Sequence, residues 1–229
     1  MEQPGHYIHL KSLLPPQAIQ DLERQLSIAR FADGRQTASN KAKSVKNNLQ
    51  VDLNDQNTLA HLQQTVGSAL MMNPLFQSAA LPKYIYPPVF SKYEPGMEYG
   101  WHTDSPIMGN QPPLRTDLGM TIFLSDPDTY EGGELEVQTN SGLKQFKLPK
   151  GDAICYPTTQ IHRVAPVTSG VRLAAVSWVQ CSVRDPQKRE ILTGLWDVHQ
   201  RLVEKDMDSK EAPVVLQTYS NLMRMWAEL

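Results

Sequence analysis

The residue types with the most chemical potential are His102, Asp104, His162 and Arg172. Two imidazoles and one carboxylate, with coordination positions to spare, suit a ferrous ion that must also bind substrate and oxygen. Positions i and i+2 of an extended chain point to one side, so His102 and Asp104 can chelate one ion from a single segment. His162 must then arrive from another strand facing them. Arg172 lies in the apolar run Val171-Arg172-Leu173-Ala174-Ala175-Val176-Ser177-Trp178-Val179. A guanidinium directed into a core needs an anion beside it, and a planar bidentate pair with a carboxylate co-substrate meets that need. Tyr93, on a strand expected beside the site, has a hydroxyl that can serve the same carboxylate. Together these residues indicate an oxygenase with a carboxylate co-substrate.

Taken alone, His-x-Asp is a weak signal. It gains weight from His162 inside a β pattern and from Arg172 beyond it. No fourth protein ligand is in view, which sets the site apart from the closed tetrahedral sites of structural zinc. His6, His9, His61 and His199 have no comparable context, and surface or satisfied core roles fit them better.

The elements that must hold these groups are short strands. Val89–Tyr93, Tyr99–His102, Gly119–Leu124, Glu134–Val137, Ala153–Tyr156, Ile161–Val167 and Val171–Val179 are separated by turns at Pro95-Gly96, Gly132-Gly133, Asn140-Ser141-Gly142 and Lys150-Gly151. Many short strands at this spacing predict a sandwich or barrel rather than a parallel α/β sheet. The fold class expected is mainly β with flanking α: a double-stranded β-helix (jelly roll) with N-terminal helices and a C-terminal helical extension. Ile19, Leu22, Leu26 and Ala29 mark a first helix, begun at Pro15-Pro16 and stopped by Asp33-Gly34. Arg35–Asn48, with Lys41, Lys43 and Lys46, reads as a long polar loop, either solvated or forming a rim over a site. Leu59, Leu62, Val66 and Leu70 mark a second helix. After an Asp185-Pro186 start, Ile191, Leu195, Val198 and Leu202 form one stripe and Val215, Tyr219, Leu222 and Trp226 another. The expected divisions are a support region over 1–82, the jelly-roll unit over 83–182 and a helical extension over 183–229.

Composition bounds the rest. The chain has 229 residues, of which 40% are hydrophobic, enough for one core with flanking helices. A net charge of −2 exerts no general pull on nucleic acid or anionic membrane. No apolar run reaches membrane-spanning length, and no secretory leader is visible. Cys155 and Cys181 sit in apolar strands and read as buried free thiols, which suits a reducing cytoplasm.

The motifs Tyr93-Glu94-Pro95-Gly96, Tyr99, His102-Thr103-Asp104, Glu131-Gly132-Gly133-Glu134-Leu135, Gly151-Asp152, His162-Arg163-Val164 and Arg172 resemble the iron(II)/2-oxoglutarate dioxygenases of the prolyl-4-hydroxylase-like group. The likeness covers residues 83–182. Asp33-Gly34-Arg35, Val45-Lys46-Asn47-Asn48-Leu49 and Pro186-Gln187-Lys188-Arg189-Glu190-Ile191-Leu192 extend it, nearly full length, to the bacterial PKHD-type hydroxylases. The resemblance implies Fe(2+) on His102, Asp104 and His162, and 2-oxoglutarate on Arg172 with Tyr93 as helper. It also implies L-ascorbate dependence, O2 as oxidant and a link to bacterial iron uptake. The expected partner is a small-molecule or peptide substrate, with neither nucleic acid nor membrane, and the helical ends leave room for a homodimer. One departure stands out: where some prolyl hydroxylases carry a second co-substrate tyrosine, this chain has Phe123. Nucleic-acid demethylases with this chemistry carry a second Arg six residues past the first, where this chain has Trp178. The rival readings are a His2Asp zinc hydrolase and a non-catalytic iron- and 2-oxoglutarate-sensing jelly roll.

Overall fold

The structure is a computed structural model that describes residues 7–38, 40–109 and 112–228, the side chains of 40 and 41 excepted. His6 and the side chain of Lys41 thus lie outside the described residues.

Two antiparallel sheets form the core. Their strands, with two small ribbons, are β1 (Ile8–Leu10), β2 (Phe31–Asp33), β3 (Lys46–Asn47), β4 (Leu49–Val51), β5 (Pro82–Ile85), β6 (Val89–Tyr93), β7 (Glu98–His102), β8 (Ile107–Met108), β9 (Leu114–Arg115), β10 (Leu118–Phe123), β11 (Tyr130–Gly132), β12 (Leu135–Thr139), β13 (Gly142–Phe146), β14 (Ala153–Pro157), β15 (His162–Val164), β16 (Val167–Gly170) and β17 (Arg172–Cys181). The larger sheet runs β1-β14-β10-β17-β6-β4-β2, with β5 also paired to β17, and the smaller runs β13-β12-β15-β7-β3. The helices are α1 (Pro16–Ile28), α2 (Asn40–Lys43), α3 (Gln56–Met72), α4 (Pro74–Ala80), α5 (Pro186–Lys205) and α6 (Glu211–Trp226).

Period-two alternation decides which side chains reach the site. One face of the larger sheet packs on helices. Phe90, Met120, Ile122, Cys155, Ala175 and Val179 meet Leu22, Leu26, Leu62, Val66, Leu70 and Phe76 there. Each such large apolar side chain contributes roughly 1.5–3 kcal/mol by leaving water. The opposite face sends Thr121, Tyr156, Tyr93, Ser91, Arg172, Val176 and Trp178 toward the smaller sheet and into a shared cavity. Where the site ends, Phe123, Ile154 and Tyr156 close the inter-sheet space against Leu135 and Val137.

Three local expectations change. Helix α1 ends at Ile28, before Asp33-Gly34, because Phe31–Asp33 is drawn into a strand against Leu49–Val51. Asp33 instead caps a 3-10 turn over Gly34–Thr37, accepting from the Arg35 amide. The expected long loop is therefore that turn, then α2, then β3, which pairs Lys46 with Tyr99. The burial face of α5 is also rotated from the expected stripe: Ile191 and Val198 are exposed while Leu192 and Arg189 are buried. Leu192 packs with Leu81 and Val183 against Tyr219, Leu222, Met223 and Trp226, so docking of α6 sets that face. The start of α5 is as expected, with Asp185 accepting from the Gln187 and Lys188 amides. Both cysteines are buried and free.

Candidate active site

His102 ends β7 and His162 begins β15, and these two residues stand directly opposite each other in the ladder. The imidazoles thus come from neighbouring strands of one sheet, not from facing strands as the spacing suggests. A register shift in this pairing, between the His162–His102 and Val164–Tyr99 rungs, brings Tyr99 to the same side as His102. The two rings stack at 3.6 Å between centroids. Asp104 lies two residues past the strand end. Its Oδ2 is 3.7 Å from His162 Nε2, and ligand atoms of all three side chains lie within 4.8 Å of one another.

Backbone carbonyls orient both imidazoles. His102 Nδ1 is 2.8 Å from the Gly100 oxygen, and His162 Nδ1 is 3.0 Å from the Gln160 oxygen. A carbonyl only accepts, so each Nδ1 carries the proton and each Nε2 keeps its lone pair for a metal. Burial, then the neighbouring His162, holds His102 down to about 3, so it stays neutral at physiological pH. Burial pushes the Asp104 carboxyl up, opposed by His162 and by the indole of Trp178. The indole faces the carboxyl, yet Asp104 Oδ2 and Trp178 Nε1 are both buried without a well-formed hydrogen bond among the described residues. A buried carboxylate oxygen left unmatched beside two imidazole lone pairs is what a divalent cation completes.

Arg172 opens β17, opposite Tyr93 of β6. It is 1% exposed, and none of its three guanidinium nitrogens has a hydrogen-bond partner among the described residues. Its guanidinium carbon sits 5.1 Å from the Tyr93 ring centroid and 5.8 Å from that of Phe123. A buried, unmatched planar cation on the wall of a cavity fits a carboxylate ligand. Gly133 leaves it space: a Cβ there would lie 3.0 Å from Arg172 Cδ, and the residue sits at φ +67°.

The cavity measures about 90 Å³ and is lined by His102, Asp104, His162, Arg172 and Tyr93 together. On its other side, Asp104 borders a groove of about 1570 Å³ whose walls include Tyr7, Lys144, Arg184, Lys188 and Trp226. The outlying described histidines are accounted for locally. His9 meets Asp152, His61 meets Asp21, and His199 Nδ1 lies near the Ala212 oxygen.

Sequence reasoning missed several cavity residues. Lys46 and Asn48, from the segment read as a loop, line it along with Thr37, Ala38 and Ala42. Lys46 is 7% exposed, and burial lowers its ammonium to about 8. Both polar atoms of the Asn48 side chain are buried without a well-formed hydrogen bond among the described residues, beside the Tyr93 hydroxyl. The one sequence signal for this pair was its place in the motif shared with the resembled subfamily. Tyr130 was also missed. Its hydroxyl is buried beside Arg172, whose charge opposes the upward push of burial on that hydroxyl.

The profile of the 2OG-Fe(II) oxygenase superfamily matches residues 88–180. A PKHD-type hydroxylase from Synechococcus sp. (strain JA-2-3B'a(2-13)) is 43% identical over 93% of this chain and 96% of its own. The chain belongs to the PKHD-type hydroxylase family. Another PKHD-type hydroxylase, from Thermosynechococcus vestitus, is 43% identical over 97% of this chain and 99% of its own. Among solved structures, a Pseudomonas putida prolyl-4-hydroxylase aligns with a TM-score of 0.53 at 14% identity, over 77% of this chain and 93% of that one. That likeness identifies the fold as the jelly roll of these oxygenases. This PKHD-type hydroxylase is accordingly an Fe(II)/2-oxoglutarate-dependent dioxygenase. No helix among its described residues is long and apolar enough to cross a membrane.

Proposed function

We propose that this hydroxylase holds Fe(2+) on His102, Asp104 and His162 and the distal carboxylate of 2-oxoglutarate on Arg172 and Tyr93. The observation that carries the reading is the convergence of two Nε2 lone pairs and an unmatched carboxylate oxygen in one cavity with an unmatched guanidinium. When bound, the metal and co-substrate supply oxygen activation. One atom of O2 goes to succinate as 2-oxoglutarate loses carbon dioxide, and the other becomes the product hydroxyl.

The chain's own part is binding, orientation and exclusion of water. The carbonyls of Gly100 and Gln160 set the ligand tautomers. Arg172 sits at a dry wall, where its charge is worth far more to a carboxylate than in water. Phe123 presents a ring to Arg172 rather than a hydroxyl, so the phenols of Tyr93 and Tyr130 flank the guanidinium instead. The groove bordering Asp104 receives the part of the substrate that lies outside the cavity, and its walls from Val183, Arg184, Lys188 and Trp226 give the C-terminal extension a part in substrate choice. Residues 83–182 supply the metal and co-substrate ligands, while 37–50 complete the cavity wall and 183–229 line the groove beside it. A zinc hydrolase would have no use for Arg172.

Sustained turnover with L-ascorbate, a cytoplasmic setting and a link to bacterial iron uptake complete the reading, supported by the motifs shared with the PKHD-type group. The test is succinate release after anaerobic iron loading, in a substrate screen of siderophores and peptides followed by mass spectrometry. Hydroxylated product with stoichiometric succinate is the expected result. Iron and 2-oxoglutarate that bind without any turnover would turn the reading toward a sensor.

A further inference from the structure

We propose that Lys46 is the receptor for a carboxylate of the molecule being hydroxylated, so the primary substrate of this enzyme is an acid. The inference rests on the co-substrate assignment above and extends it to the substrate class.

The observation is a second buried cation in the same cavity. Lys46 Nζ donates to Thr37 Oγ1 at 3.0 Å and lies 5.2 Å from the Tyr99 ring centroid. Tyr99 in turn stacks on His102. The ammonium is therefore one aromatic ring away from the first metal ligand. No described carboxylate pairs with it: Asp33 and Asp104 act on Lys46 only through space, and Asp33 is itself engaged by Arg35.

The backbone holds Lys46 there deliberately tightly. Its strand pairs with Tyr99, and the Gly100 amide donates to the Val45 oxygen at 2.8 Å. A Cβ at Gly100 would come within 3.0 Å of Val45 Cβ. The segment cannot easily swing out to carry the ammonium into water.

Charge bookkeeping identifies the partner. Among the described residues, the charged side chains lining the cavity are Asp104, Arg172 and Lys46. A ferrous ion and doubly charged 2-oxoglutarate cancel each other, and Asp104 cancels Arg172. The ammonium of Lys46 is left over in a dry site, where an uncompensated charge is costly. An anionic substrate removes that cost as it binds, and a neutral or cationic one does not. The same contact fixes the distance between the substrate's carboxylate and the metal, which selects the carbon presented for hydroxylation.

The test uses the full chain, loaded anaerobically with ferrous ion and saturating 2-oxoglutarate. Wild type, K46M, K46R and R172M are titrated calorimetrically with phenylacetate and N-acetylglycine, and with the primary amide of each. Separate titrations give the 2-oxoglutarate affinity of each protein, and melting temperatures confirm folding. The wild type is expected to bind the acids roughly tenfold or more tighter than the amides, a difference of about 1.4 kcal/mol. K46M is expected to erase that preference, and K46R to keep most of it. A wild type with no preference for acids, or a K46M protein with an undiminished one, overturns the proposal. So does a K46M protein whose 2-oxoglutarate affinity falls as far as that of R172M, because Lys46 would then serve the co-substrate. Unaltered 2-oxoglutarate binding by R172M, beside an acid preference that still needs Lys46, overturns the co-substrate assignment and leaves the Lys46 site standing.

Discussion

Replacing Arg172 by methionine separates a binding role from a folding role. The side chain is 1% exposed and its three nitrogens lack hydrogen-bond partners among the described residues, so the ligand-free protein carries a buried guanidinium with no carboxylate paired to it. Methionine keeps much of the volume without the charge, and apolar replacement of buried ionic groups is often neutral or stabilising. The melting temperature of ligand-free R172M is therefore expected to equal or exceed that of the wild type. Its affinity for 2-oxoglutarate should collapse. Loss of one partner from a buried ion pair costs roughly 3–5 kcal/mol, and each 1.4 kcal/mol is tenfold, so binding weakens by roughly one hundred to four thousand-fold. Anaerobic calorimetric titration of 2-oxoglutarate into iron-loaded protein measures the second quantity, and differential scanning calorimetry of the ligand-free chain measures the first. Unchanged affinity would refute the assignment. A weakened affinity that comes with a lower ligand-free melting temperature would instead make Arg172 a structural residue.

Four further outcomes follow from the geometry. Asp104→Ala should copurify with little iron and release no succinate, and retained metal by elemental analysis would remove Asp104 from the ligand set. Tyr93→Phe should weaken 2-oxoglutarate binding by roughly tenfold or more, since a hydrogen bond to a charged group contributes about 1.5–3 kcal/mol, and an affinity within twofold of wild type would clear Tyr93 of that role. Gly133→Ala should both destabilise the fold, by about 1–3 kcal/mol for a strained positive φ, and loosen co-substrate binding, because its Cβ would press on Arg172 Cδ; urea unfolding and the same titration read the two effects. For Lys46, the folded ammonium is lowered to about 8 from an ordinary 10.5. The unfolded chain therefore binds more protons between those values, and stability rises with pH across that window. K46M should be more stable than wild type, without ligands, at pH 7, with the gain shrinking as pH climbs from 8 toward 10.5; a gain in urea-unfolding free energy that ignores pH would deny the buried charge.

The candidate site was legible in the sequence because its signals are local or periodic. His102 and Asp104 are two apart, and the alternation around Ala153–Tyr156 and Val171–Val179 marks strands whichever sheet they join. Arg172 stood out as a cation in an apolar run. What stayed hidden depends on tertiary pairing. Nothing local says that Phe31–Asp33 abandons a helix to pair with Leu49–Val51. Nothing in the polar run of lysines separates Lys46, buried under Tyr99's strand, from solvated neighbours such as Lys43. The adjacency of His102 and His162 in one sheet was also unreadable, because strand order is not written in the spacing of strands. The stripe on α5 failed for a related reason: the contact with Leu81, Val183 and the C-terminal helix chose a face that hydrophobicity alone did not mark.

Strand β17 lies at the centre of the larger sheet, bonded to β10 on one side and to β6 and β5 on the other. On a ribosome, Leu118–Phe123 and Val89–Tyr93 are both made long before the strand that joins them. Until residues 172–181 emerge, the earlier strands expose unpaired edges and the apolar face meant for α1 and α3. Such a topology, rich in contacts between distant residues, folds late and slowly. The nascent chain therefore passes through a window of aggregation risk that closes only when Cys181, the tenth and last residue of β17, is free of the exit tunnel.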